Sequence, residues 1–109
     1  MALRLERRTA EAAVVVGVAG EVDNFTAPQL RAALLEARDS GAPRLIVDLT
    51  ETDFLDSSAL GTLVGVAKHL TGGTRLVLVC PRPHLRKVLR ISRLDEVIDV
   101  YDSLADIPA

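Results

Sequence analysis

Apolar positions follow two different periods along this chain, and the places where one period gives way to the other mark out its elements. Leu3 and Leu5 alternate with charges between Met1 and Arg8, the two-residue period of a half-exposed strand, and Thr9 to Ala12 makes a small polar turn. Ala13 to Ala19 is a β-branched apolar run stopped by Gly20, so the first two strands are predicted to form an antiparallel hairpin with the first at a sheet edge. After the polar connection Gly20-Glu21-Val22-Asp23-Asn24-Phe25 the period lengthens. Leu30, Ala33, Leu34 and Ala37 fall at helical spacing, with Thr26 as the expected N-cap, Pro28 in the first turn, Gln29 completing a capping box, and Ser40-Gly41-Ala42-Pro43 ending the helix. Leu45 to Leu49, broken only by Asp48, reads as a central strand covered on both faces, and Thr50 to Leu55 as a loop.

A second helix is predicted from about Ser57 to Leu70, closed by Gly72-Gly73. Leu60, Leu63, Val64, Ala67 and Leu70 line its apolar stripe, and Ser58, Thr62, Gly65 and His69 line another that is small and flat. Arg75 to Cys80 is the next strand; Pro81 and Pro83 bracket a turn. Leu85, Val88 and Leu89 define a third helix, Val97 to Val100 a last short strand, and Leu104 and Ile107 a terminal helical turn. The order is β-β-α-β-α-β-α-β-α, which predicts a small mixed α/β sheet with an N-terminal antiparallel hairpin, flanking helices and right-handed crossovers.

Composition narrows this picture. The 109 residues suit a single domain over 1–109, and with 49% hydrophobic and 3% aromatic residues the core is expected to be aliphatic. A net charge of −2 offers no general attraction to nucleic acid or an acidic membrane surface. Cys80, the single cysteine, excludes an internal disulfide and reads as a buried structural thiol. The first residues lack a signal h-region and no apolar run approaches the roughly 20 residues that cross a bilayer, so a cytoplasmic protein without membrane insertion is expected.

Little in the chain invites catalysis. His69 and His84 have no metal-ligand spacing with Cys80 or a carboxylate pair, Ser57 sits in no nucleophile elbow, and no GxxxxGK loop is present. No cofactor and no enzymatic activity are expected. Arg82, Arg86, Arg90 and Arg93, with Lys87, fall close together on the third helix, but without interleaved aromatics they read as a solvated face. Asp48 is expected to hold a loop or helix end by hydrogen bonding. Attention therefore settles on Asp56-Ser57-Ser58, a carboxylate and two hydroxyls at a helix start, where amides are unpaired. On physical grounds Ser57 caps the helix or accepts a phosphate there; Asp56 caps it or orients an enzyme; Ser58 is an exposed polar residue or a partner contact. Thr62, Gly65 and His69 either face a partner helix or pack within this domain.

Gly20-Glu21-Val22-Asp23, then Val47-Asp48-Leu49, then Phe54-Leu55-Asp56-Ser57-Ser58-Ala59-Leu60-Gly61, in this order and spacing, resemble the STAS domain of bacterial anti-anti-sigma factors over nearly the whole chain. The resemblance implies an anti-sigma factor antagonist in a partner-switching pathway. Ser57 would be the serine phosphorylated by the partner anti-sigma factor, an ATP-dependent kinase, and a serine phosphatase would reset it. The resemblance also implies a partner surface that includes Asp23 and Asn24, and the physical reading adds Asp56, Ser58, Thr62 and Gly65 as candidate contacts beside it. Ala59 departs from the glycine of many members. A STAS subunit that docks on a transporter or larger assembly without phosphorylation is the alternative. A receiver domain phosphorylated on aspartate is disfavoured by the opening hairpin.

Overall fold

In the computed structural model, which describes residues 3–10 and 12–108, the chain forms one five-stranded sheet with three α-helices. Strands β1 (Arg4–Ala10), β2 (Ala13–Val22), β3 (Arg44–Leu55), β4 (Arg75–Val79) and β5 (Asp99–Tyr101) lie side by side in chain order. The β1–β2 pair is antiparallel and the other pairs are parallel. Helices α1 (Ala27–Arg38), α2 (Ser57–His69) and α3 (Pro83–Ile91) bridge the parallel strands, and short 3₁₀ turns follow at Leu94–Glu96 and Leu104–Asp106. The mixed sheet, its hairpin and the element order are those read from the sequence, the last helical segment being a single 3₁₀ turn.

All three flanking helices lie on one face. Each parallel crossover moves one strand further in the same direction, and connections of one hand then place their helices together. Leu30 and Leu34 of α1, Leu63 and Val66 of α2, and Leu85 and Leu89 of α3 pack on the alternate strand residues Val14, Val16, Val18, Leu45, Val47, Leu49, Leu76 and Leu78. On the opposite face Val15, Ile46, Val77 and Val79 are buried with Tyr101 and Ile107, so the C-terminal turn provides cover there. Both sides of β3 are dry from Leu45 to Val47, which is why its apolar run is continuous there. The core is aliphatic as expected, and Cys80 is buried and free within it; burial pushes its thiol pKa up.

Several boundaries differ from the sequence-based expectation. The hairpin connection is tighter than Thr9 to Ala12, since Ala10 already pairs with Ala13; Ala12 is left-handed at φ 59° and Glu11 lies outside the described residues, as do Met1 and Ala2. β2 continues through Gly20 to Val22. The segment from Thr50 to Leu55 is not a loop but the second half of β3, paired with β2 as far as Leu55. β3 carries two extra residues relative to β2, between its pairings with Gly17 and Ala19 and between those with Gly20 and Glu21. These β-bulges interrupt the period-two alternation that would have marked a strand.

Candidate functional site

The C-terminal ends of β2 and β3 bring two helix starts together. Val22 pairs with Leu55, and the amide of Asp56 donates to the carbonyl of Val22 at 3.1 Å, so the chain leaves the sheet at Asp23 and at Asp56 side by side. The crevice outside the carboxyl ends of parallel strands is where α/β sheets commonly carry their sites. The two loops meet there.

At the first exit, Asp23 organises the turn. Its Oδ1 accepts from the amides of Phe25 at 2.9 Å and Thr26 at 3.0 Å, while its carbonyl accepts from Ala27 N at 2.8 Å. These donors hold the Asp23 carboxyl below the usual aspartate pKa, the Thr26 amide contributing most and partial burial working against it. The expected Thr26–Gln29 capping box is absent. Thr26 is helical in conformation and turns its hydroxyl back into the loop, where it accepts from Asp23 N at 2.9 Å and meets the Glu21 carbonyl at 3.1 Å. Asp23 has taken the capping role because three of the turn's donors reach one carboxylate. Asn24 stands exposed at the tip.

At the second exit, the cap is Asp56. Its backbone is extended, its Oδ1 accepts from Ala59 N at 3.0 Å, and its carbonyl accepts from Leu60 N at 3.1 Å. The reading of Ser57 as the cap is therefore corrected: Ser57 is the first helical residue, exposed, and its hydroxyl bonds to no other described residue. Freed from capping, that hydroxyl sits at the end of the helix where amides are unpaired and the dipole is positive.

The flat flank of α2 is present, with one addition. Ser58, Thr62 and Gly65 are half-buried and His69 is exposed; the Thr62 hydroxyl donates back to the Ser58 carbonyl at 2.9 Å, leaving little polar reach. Gly61, one turn on from Ser57, was not singled out in the sequence, yet it is exposed, and a Cβ added there or at Gly65 would meet nothing within 4 Å. Helical spacing from Ser57 was the signal that could have found it.

The two phenylalanines were also missed as surface residues. Phe25 is 82% exposed and Phe54 is 46% exposed. Phe25 lies in the Asp23 turn and Phe54 two residues before Asp56, so both stand where the chain leaves the sheet. No other phenylalanine exists in the chain. Large exposed apolar side chains at one corner signal an interaction surface.

The basic residues of α3 behave as expected of a solvated face. Arg86 pairs with Asp102 at 3.6 Å and Arg93 with Glu96 at 3.8 Å, while Arg82 precedes the helix and pairs with Asp53 at 2.7 Å. Asp48 holds local structure, accepting from Thr50 N at 3.0 Å and pairing with Arg8 at 3.4 Å. Among the described residues no group of three potential metal ligands comes together, and no helix is long and apolar enough to cross a membrane.

Known proteins share this fold. The STAS domain family model matches residues 4–107. The chain is 36% identical over 84 residues to the anti-sigma-B factor antagonist of Listeria monocytogenes, covering 76% of this chain and 74% of the relative. Among solved structures, an anti-sigma factor antagonist from Mycobacterium paratuberculosis superposes with a TM-score of 0.90 at 28% identity, covering 96% of this chain and 90% of that one. The Bacillus cell fate determinant SpoIIAA in its phosphorylated form matches with a TM-score of 0.65 at 30% identity, covering 94% and 93%.

Proposed function

Because the chain belongs to the STAS domain family, we propose that it is an anti-sigma factor antagonist whose partner surface is the Asp23–Asp56 corner and whose switch is phosphorylation of Ser57. The observation that carries this reading is the position of Ser57: exposed, first in α2, uncapped by its own hydroxyl, and set between Asp56 and the flat flank at Gly61. A kinase has access to that hydroxyl without unfolding any element. The relatives named as anti-sigma factor antagonists, and the existence of one such fold in a phosphorylated form, support it.

The switch works through charge and bulk on an intact fold. The cap remains with the Asp56 carboxylate after modification, and a phosphate on the first residue of a helix is favoured by its positive end. Phosphorylation places about −1.5 to −2 charges beside Asp56 and Asp23. Unmodified, the corner offers Phe25, Phe54 and the flat flank of Ser58, Thr62 and Gly65, with Asp23 and Asn24 on its rim, to the anti-sigma factor kinase. Modified, it repels that partner until a serine phosphatase removes the phosphate, and the sigma factor is recaptured in the interval.

The test is direct. Incubation with the cognate anti-sigma factor kinase and ATP is expected to place a single phosphate on Ser57, located by mass spectrometry, and Ser57→Ala is expected to take none. Ser57→Asp is expected to fold normally and lose capture of that kinase. Phosphate elsewhere with Ser57 unmodified, or undiminished capture by Ser57→Asp, sinks the reading.

A further inference from the structure

β4 covers β3 only from Arg44 to Asp48, so the rest of β3 runs on as an arm with β2 on one side and an open edge on the other. Open edges leave carbonyls that need partners. Here the first turn of α3 and the residue before it supply them with side chains. Arg82 Nη1 donates to the Thr52 carbonyl and to Asp53 Oδ1, the latter at 2.7 Å, and His84 Nε2 lies 3.0 Å from the Asp53 carbonyl. A carbonyl oxygen only accepts, so that ring nitrogen carries the hydrogen.

Asp53 is also the extra residue of the second bulge, since Gly20 pairs with Thr52 and Glu21 with Phe54. Both its carbonyl and its carboxylate are therefore held from α3 and the residue before it, at the point where the ladder has no place for it. The register here decides what the corner displays. Past the bulge, Phe54 faces solvent and Leu55 enters the core; a slip of one residue would exchange their faces. The donor is itself pre-set: Arg82 stands between Pro81 and Pro83 with φ −78° and ψ 121°, the extended conformation that a following proline enforces.

We propose that Arg82 and His84 are positioning residues that lock the Asp53 bulge, and so fix the aim of Phe54 and of the Asp56–Ser57 start of α2 toward the anti-sigma partner. The brace itself is independent of any partner; its purpose rests on the function proposed above. Neither residue touches the phosphoacceptor, and α3 serves the site through β3.

Hydrogen exchange on the isolated protein tests the brace. In Arg82→Ala/His84→Ala, amides of residues 53–57 are expected to exchange roughly tenfold faster, as loss of two backbone-directed bonds implies, while β2 and β4 keep their protection. His84→Gln, whose amide N–H reaches the same carbonyl, is expected to restore much of the protection that His84→Phe loses; this single pair decides the question if the double variant does not fold. Unchanged exchange over 53–57 in folded variants overturns the proposal. The second readout is the rate of Ser57 phosphorylation, expected to fall in the double variant and recover with glutamine at 84. A loosened segment with undiminished phosphorylation overturns the positioning role. A wild-type protein that is never phosphorylated defeats the functional reading instead, and the exchange experiment still decides the brace.

Discussion

The two halves of β3 differ in pairing and in exposure. From Arg44 to Asp48 the strand pairs in regular register with β2 and β4, and Leu45, Ile46 and Val47 are buried whichever face they point to. From Thr50 onward it pairs on one side only, carries two bulges, and shows Glu51, Asp53 and Phe54 to solvent, while Thr52 and Leu55 turn inward. The first half is held by apolar burial, which is non-directional and tolerant of what lies alongside. The second is held by directional bonds from side chains: the Thr50 amide to Asp48, Thr52 to the Val18 carbonyl at 2.7 Å, and Arg82 and His84 to the outer carbonyls. A surface that a partner reads is set by directional bonds, because they fix an orientation that burial alone leaves loose.

The contrast breaks most visibly in the first half. Leu45, inside that half, is buried against the helices, so Leu45→Ala is expected to cost about 2–5 kcal/mol of folding free energy. Chemical denaturation measures it; a loss under about 1 kcal/mol would show that burial does not hold this half. In the second half Phe54→Ala is expected to reverse the ranking of effects. With 46% of the residue exposed, folding should lose only about 1 kcal/mol, whereas capture of the anti-sigma partner should weaken about tenfold or more, as for an aromatic anchor. Calorimetric titration against the partner, beside a melt of the free protein, separates the two.

A smaller effect sharpens the same contrast. Thr52 is wholly buried although polar, and its hydroxyl donates to Val18, the β2 residue skipped by the first bulge. Thr52→Val keeps the shape and removes the donor, so about 1–2 kcal/mol should be lost through an unmet carbonyl. An unaffected unfolding midpoint would mean that the bulge is satisfied without it.

These halves were unequally legible from the sequence for the same reason. Leu45 to Leu49 announces a strand because burial on both faces makes an apolar run that only Asp48 breaks. Thr50-Glu51-Thr52-Asp53 announces a loop because each bulge shifts the inward positions by one, so the buried Thr52 falls out of step with Leu49 and the second bulge is needed to bring Leu55 back. What covers the second face of the sheet was hidden too, since an apolar run looks the same under a helix as under Tyr101 and Ile107. At the corner itself, Asp56-Ser57 could be placed at a helix start, but Asp and Ser cap equally well and the choice lies in backbone angles; Asp56 is extended and Ser57 already helical. At the start of α1 the expected Thr26 cap gave way to Asp23 for a similar reason, since Thr26 is already helical in conformation. Arg82 was grouped with the arginines of α3 by spacing, because its partners on β3 are some 30 residues away in the chain and become neighbours only in the fold.

The weakest expected effect concerns the other strand end at this corner, and it separates a turn organised by charge from one organised by shape. Asp23 accepts three hydrogen bonds from its own turn, and its carboxyl pKa is lowered in the folded state, chiefly by the Thr26 amide. A carboxyl whose folded pKa lies below its unfolded one stabilises the fold above the unfolded value and ceases to do so as pH falls through the folded value. The contribution should thus be complete at neutral pH, begin to fade near about pH 4, where an unfolded aspartate titrates, and vanish below the folded pKa. The Asp23→Asn variant keeps an acceptor oxygen at this position without the charge. The difference in unfolding free energy between wild type and Asp23→Asn is expected to be largest at neutral pH and to close on acidification, the remaining carboxylates cancelling between the two proteins. A difference that stays constant from neutral pH down to about pH 2, below the usual carboxylate range, would show that the turn depends on the shape of the side chain alone, and that the charge at this exit is there for the partner.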